Sequence, residues 1–305
     1  MITALAGGVG AARFLTGLTR LVDEEDLTVI VNTGDDVDLF GLHISPDVDI
    51  VTYTLAGIVN EEKGWGIKGD TFECLNMLKR FGETDWFNLG DRDFATSILR
   101  SKMLKNGSTL SQISAKVSRD LGLKLKILPM TNDKFATHVR IPEGSVHFEE
   151  YMVKRAAQDK VLGVEFVGAE TAKPAEGVIE SIMAAEHVII CPSNPVVSIG
   201  TILSVSGIRD ALQKTSAKKV AVSPIVAGAP IKGPADKLLS GLGVEVSAFG
   251  VAELYADFLD GFVIDYADAA QKSRIEALGV KVAVTNTVMK DLASKIALAK
   301  VVLSF

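Results

Sequence analysis

The chain has 305 residues, 48% of them hydrophobic and 23% charged, with a formal net charge of -6. That length buries a large core as one elaborate domain or two modest ones, and the acidic balance excludes a constitutive nucleic-acid binder, which needs a basic face. Two distant cysteines, Cys74 and Cys191, supply neither a disulfide framework nor metal-ligand spacing, and no apolar run approaches the ~20 residues of a membrane span; a cytoplasmic protein without membrane partners is expected.

Short apolar, β-branched runs alternate with segments of helical period, the pattern of a parallel α/β architecture. The first strand is expected over 2–6, followed by the turn AGGVGAARF and a helix over 11–22. Glycines at such a turn let backbone N–H groups approach a phosphate at a helix start. Against a dinucleotide fingerprint, Arg13 stands where a third glycine would, and no Lys-Ser/Thr makes the turn a P-loop. A phosphate site and a plain tight bend fit the turn equally.

A second strand over 27–32 runs into NTGDDVDLFGLHISPDVD, a loop carrying Asp35, Asp36, Asp38, Asp47 and Asp49 ahead of a helix over 46–58. Acids this dense repel one another unless a cation sits among them, and hard oxygen ligands suit magnesium carrying substrate phosphates. If the helix starts at Pro46, Asp47 and Asp49 point apart by roughly 200°, which splits their roles; a later start lets both face one cavity.

From about 60 to 158 the alternation breaks. Helices are expected over 70–81, 91–105 and 108–121 with Asp70, Asp91 and Ser108 as N-caps, then a small β element from strands over 125–130, 137–141 and 145–148. This stretch reads as a largely helical insertion or lid on a core formed by 1–59 and 159–305. Within it, Asp91 and Asp93 flank Arg92 at a helix start, a pattern that suits a polar ring system or a phosphate; Trp65 in KGWGIKGD is the aromatic residue placed to meet a ligand.

Beyond 159, strands over 161–168, 187–191, 219–223, 244–247, 261–264 and 280–284 alternate with helices over 174–185, 196–213, 235–241, 251–259, 267–278 and 286–303. The fold class is therefore α/β, a Rossmann-like, mostly parallel sheet. Ligands in such sheets sit beyond the carboxyl ends of the strands, where CPSNPVVSIGTIL offers Ser193 and Asn194, and SPIVAGAPIKGPADKLL offers Lys232 and Gly233. His43, His138, His147 and His187 are scattered without zinc spacing, and there is no G-x-S-x-G elbow.

The strings GGVGAARFLTGL, NTGDD, ISPDVDIVTYTLAG, WGIKGDTF, LGDRDFAT, ILPMTND, PSNPVVSIGTIL and VSPIVAGAPIKGPADKLL, in this order over nearly the whole chain, resemble the 2-phospho-L-lactate transferase family, CofD and FbiA. The resemblance implies a Mg2+-dependent transfer in coenzyme F420 biosynthesis. The deazaflavin alcohol Fo attacks a lactyl- or enolpyruvyl-diphospho-guanosine donor, giving F420-0 or dehydro-F420-0 and GMP. It further implies a homodimer and small-molecule substrates. On this reading Asp47 and Asp49 are the catalytic pair, Asp49 contacting Fo and accepting its proton. Asp36, Asp47 and Asp49 are candidate metal ligands. Asn88, Asp91 and Arg92 complete the Fo pocket, Asn88 standing where the family often has lysine. Gly8, Gly10, Ser193, Asn194, Gly228 and Lys232 line the guanosine-diphosphate side. The superfamily also holds CofD-like proteins that bind nucleotide sugars and regulate; these need not keep ISPDVD together with LGDRD, and this chain has both.

Overall fold

A computed structural model describes every residue except Asp85. In chain order the first half runs β1 (Ile2–Ala6), α1 (Gly8–Leu18), β2 (Leu27–Val31), β3 (Val37–Leu39), β4 (Leu42–Ile44), α2 (Pro46–Leu55), α3 (Glu73–Arg80), α4 (Asp91–Lys105), α5 (Leu110–Asp120), β5 (Lys126–Pro129), β6 (Ala136–Ile141) and β7 (Gly144–His147). The second half runs β8 (Gly163–Val167), α6 (Val178–Ala184), β9 (His187–Ile190), α7 (Ile199–Ser204), α8 (Ile208–Lys214), β10 (Lys218–Val222), β11 (Ile225–Val226), β12 (Ala229–Pro230), α9 (Ala235–Gly241), α10 (Ala248–Tyr255), β13 (Gly261–Asp265), α11 (Lys272–Glu276), β14 (Lys281–Thr285) and α12 (Leu292–Leu303).

Seven strands form one sheet in the order β14-β13-β10-β9-β1-β2-β5, every neighbouring pair parallel. Buried on both faces, these strands are apolar at successive positions, as a covered parallel sheet requires. In β1, Leu5 packs with Ile30 and Ile190 on one face, while Ala4 and Ala6 pack on the other with Phe14 and Leu15 of α1, Val48 and Val51 of α2, and Leu298 of α12. A Cβ on Gly17 would lie 2.4 Å from the carbonyl of Lys295, so glycine lets α1 and α12 cross in backbone contact. The chain leaves β1 toward β2 and β5, then returns to β9 on the other side. The reversal opens a crevice between the carboxyl ends of β1 and β9, where doubly wound sheets bind ligands.

The structure reassigns two strands. The segment over 125–130, expected in the small β element, supplies β5 at the edge of the parallel sheet beside β2. The segment over 161–168, expected among the core strands, supplies β8, which pairs antiparallel with β6 in the three-stranded sheet β7-β6-β8. Glu165 explains the second exchange: it stands out to solvent against Arg140 at 3.6 Å, and a strand with one wet face suits an antiparallel edge.

Other boundaries move for local reasons. No strand forms over 244–247, which instead leads into α10, with Ser247 Oγ accepting from Gly250 N at 3.0 Å. The helix expected over 196–213 breaks at Gly207 (φ +89°) into α7 and α8, and that over 267–278 begins as a 3-10 turn over Tyr266–Gln271. The expected N-caps Asp70, Asp91 and Ser108 give way to Phe72, Gly90 and Thr109. The acidic loop contains a hairpin, β3–β4, whose turn places Phe40 at φ 56° and Gly41 at φ 71°, the two positive values a tight type I′ turn needs.

Candidate active site

The glycine turn sits at the switch point. Gly7 N donates to Ser193 Oγ at 3.2 Å, and a Cβ on Gly10 would fall 2.2 Å from the Pro192 carbonyl oxygen. A Cβ on Gly7 would fall 2.7 Å from Asp47 Oδ2. These glycines therefore serve close approach: the start of α1, the loop after β9 and the start of α2 converge where only hydrogen fits. The same residues line a cavity of about 960 Å3 that spreads between the sheet edge and the insertion.

Helix α2 begins at Pro46, whose fixed φ and missing N–H suit a first helical position. Asp47 and Asp49 consequently diverge. Asp47 turns to the glycine turn, its Oδ2 accepting from Asn32 Nδ2 at 2.9 Å and its carboxylate from the Gly8 backbone N–H. Burial nevertheless raises its pKa to about 6. Asp49 turns to the insertion, where Oδ1 meets the Arg100 guanidinium; burial raises its pKa against the pull of that cation.

Two further buried acids face Asp47. Asp35 is 4% exposed, lines the cavity and has no hydrogen-bond partner at Oδ1; burial first, then the charges of Asp47 and Glu149, hold its pKa well above the carboxylate range. Glu149, just after β7, is pushed to about 8 by burial and by the charges of Asp47 and Asp36. Among the described residues no three carboxylate, imidazole or thiol groups converge to hold a metal by themselves. An orphaned buried oxygen among acids that raise one another's pKa nonetheless fits a hard cation completed by phosphate oxygens and water, the usual manner of Mg2+.

The cavity collects most of the residues singled out from the sequence and leaves some aside. Gly8, Gly10, Asp47, Asp49, Asn88, Ser193, Asn194 and Lys232 line it, as does Trp65. Asp36, Asp91, Arg92 and Gly228 are not among its lining residues. Asp36 Oδ2 is occupied by Ser45 Oγ at 2.8 Å and His43 Nε2 at 2.9 Å. Asp91 binds the start of α3, Arg92 donates to the Lys68 carbonyl at 3.1 Å, and Gly228 shapes the β11–β12 turn at φ +75°.

Asp93, singled out with Asp91 as the pair flanking Arg92, also lines the cavity from the start of α4, and burial is the main cause that raises its pKa to about 6. Other lining residues carried less signal. Arg13 enters from α1, where its place in the turn was noted only as a missing glycine. Glu149 carried no signal at all, since nothing local to HFEEYM marks it as facing Asp47 across the fold. Lys290, just before α12, and Lys295 within it also line the cavity, as do Arg13 and Lys232, so its lining carries basic residues from the α12 region as well as the acids. Asp265 accepts from Thr287 N at 2.8 Å and Asp268 from Ala227 N at 3.1 Å; these bonds fix the two loops that carry Lys290 and Lys232.

A family model described as 2-phospho-L-lactate transferase CofD matches residues 2–302. The chain is 45% identical to a phosphoenolpyruvate transferase of Streptomyces griseus over 98% of this chain and 96% of that one. It is 43% identical to a 2-phospho-L-lactate transferase of Methanothermobacter thermautotrophicus, over 99% and 97% of the two chains. In fold it is similar to the crystal structure of a UPF0052-family protein of Bacillus halodurans, with a TM-score of 0.66 at 18% identity, covering 99% of this chain and 98% of that one. No helix among the described residues is long and apolar enough to cross a membrane. With its glycine turn, its divided aspartates and its full-length match, the chain belongs to the 2-phospho-L-lactate transferase CofD family of enzymes.

Proposed function

We propose that the enzyme transfers a 2-phospholactyl or phosphoenolpyruvyl group from a guanylated diphosphate donor to the deazaflavin alcohol Fo, giving F420-0 or dehydro-F420-0 and GMP. The observation that carries this reading is that one cavity gathers the strand-end loop residues Gly8, Gly10, Ser193, Asn194 and Lys232, suited to phosphates, together with Asp47 and Asp49 of α2 and Asn88 and Asp93 of the insertion.

The Fo hydroxyl oxygen attacks the phosphorus that carries the lactyl or enolpyruvyl oxygen; the bond from that phosphorus to the bridging oxygen breaks, and the bridging oxygen leaves with GMP. Catalysis of such a step is alignment and charge stabilisation more than covalent help. Asp49 accepts the hydroxyl proton, and its raised pKa makes it a stronger base than an exposed carboxylate. Asn88, exposed at the cavity wall, hydrogen-bonds the polar ring edge. The amides around Gly8 and the Ser193 and Asn194 side chains hold the donor phosphates, and Lys232 balances their charge. Asp47 and Asp35 would hold Mg2+, which when bound supplies neutralisation of charge on the diphosphate and the departing GMP. Asp49, engaged by Arg100, is left out of that ligand set; Asp36 has Oδ2 taken by His43 and Ser45 and an unpartnered Oδ1, and is left out because it does not line the cavity.

Purified protein with Fo, Mg2+ and either guanylated donor should release GMP in step with an Fo phosphodiester. No GMP release, together with tight nucleotide-sugar binding, would instead identify a CofD-like regulatory protein.

A further inference from the structure

Arg100 is the largest fully buried side chain of the protein, on α4 in the insertion, with 2% of its side chain exposed. Its NH2 group meets Asp49 Oδ1, and its NH1 donates to the His43 carbonyl at 3.3 Å. The neighbouring Ser101 Oγ accepts from His43 N at 2.8 Å, so α4 grips β4 through both backbone groups of one residue. Asp49 lines the main cavity; Arg100 does not. Arg100 lies instead against a separate small void behind α2, lined also by Asp49, Ile113 and Ser114. The aspartate thus stands between the guanidinium and the space where a substrate would sit.

A carboxylate on a helix ordinarily samples several rotamers. Here one oxygen is held by a planar, permanently charged donor that is itself fixed by the His43 carbonyl, which leaves the second oxygen to face the cavity. Asp49 belongs to the core and Arg100 to the insertion that also brings Asn88 and Asp93, so the pair sets the two walls of the acceptor side relative to each other.

We propose that Arg100 is a positioning residue for the transfer: it acts through Asp49, orienting the carboxylate toward the acceptor hydroxyl without touching either substrate. The inference deepens the proposed function and rests on that reading.

The test is a double-mutant cycle on the full chain with Fo, Mg2+ and a guanylated donor, comparing wild type, Arg100→Met, Asp49→Asn and the variant carrying both. Arg100→Met should lower kcat by about 30-fold or more with the donor KM changed less than about twofold, and Arg100→Lys should recover part of the loss. In the Asp49→Asn background, Arg100→Met should cost less than about threefold, because residues acting as a unit are not additive. Each single change leaves one charge of the buried pair unpaired, so Arg100→Lys, which keeps that charge but not the fork, is carried through the same cycle. It should lower kcat severalfold in the wild-type background and by much less in the Asp49→Asn background, and equal losses would again overturn the proposal. Equal losses in both backgrounds, or full activity of Arg100→Met, would overturn the proposal. Failure of the functional reading would show differently, as absence of GMP release from the wild-type chain, and would overturn both.

Discussion

Asp70 and Asp91 exchange caps across the junction of α3 and α4. Asp70 accepts from Arg92 N, at 3.0 Å to Oδ1, at the start of α4, while Asp91 accepts from Cys74 N at 2.9 Å and Thr71 Oγ1 at 2.6 Å at the start of α3. Each carboxylate satisfies amide groups that a helix start leaves open, but on the other's helix. Two Gly-Asp signals in the sequence thus form one joint that holds the insertion wall in place.

The joint has a pH signature. The Thr71 hydroxyl and the Cys74 amide hold the Asp91 carboxyl below the usual carboxylate range. A depressed folded-state pKa contributes stability above the unfolded value, about 4, and loses it as pH falls through the folded value. Asp91→Asn should therefore lower the urea midpoint at pH 7 and flatten its decline as the pH falls below about 4. An unchanged acid slope would show that the exchanged cap contributes nothing.

Gly10→Ala should damage both fold and site. The added methyl meets a backbone carbonyl that cannot swing away, and the expected cost is about 1–3 kcal/mol, as for an overpacked core. Equilibrium unfolding and titration with GDP should both register it, the latter as weaker binding because the start of α1 moves from the loop at Pro192. Wild-type affinity in a fully folded variant would remove the turn from the nucleotide wall.

Asp47 and Asp49 should separate kinetically. Asp47→Asn should raise the Mg2+ concentration for half-maximal rate by on the order of tenfold or more, whereas Asp49→Asn, assayed at saturating Mg2+, should lower kcat by about 100-fold. Identical Mg2+ dependence in the two variants would contradict the division of roles made by the helix start at Pro46.

Asn88→Ala should raise the KM for Fo by several-fold, roughly, with little change in the donor KM, since it removes ground-state binding on the acceptor wall alone. Initial rates at fixed donor decide this; a donor KM that rises with it would place Asn88 on the wrong wall.

How much of this was legible depends on whether the signal was local. Gly7 to Gly10 and Ser193 directly follow strands, so alternation alone carried them to the ligand edge of the sheet, whereas Asp47 and Asp49, well beyond β2, were marked by the density of acids in the loop before α2. The exchange of β5 and β8 was written in Glu165, whose polarity in GVEFV marks a half-wet strand, but both segments are short and β-branched and their partners lie far along the chain. Arg100 was invisible for a related reason. Within α4 it reads as a cation on an exposed face, and only the packing of α4 against β4 and α2, 51 residues away in sequence, buries it on Asp49. Glu149 and Asp35 meet through the same kind of long closure.

The most direct test of the account is the mass spectrum of the product formed when purified enzyme, Fo and Mg2+ are given the lactyl and enolpyruvyl guanylated donors in competition. The account predicts an Fo phosphodiester carrying one of the two groups, with GMP released in equal amount. Unmodified Fo and intact donors would contradict it.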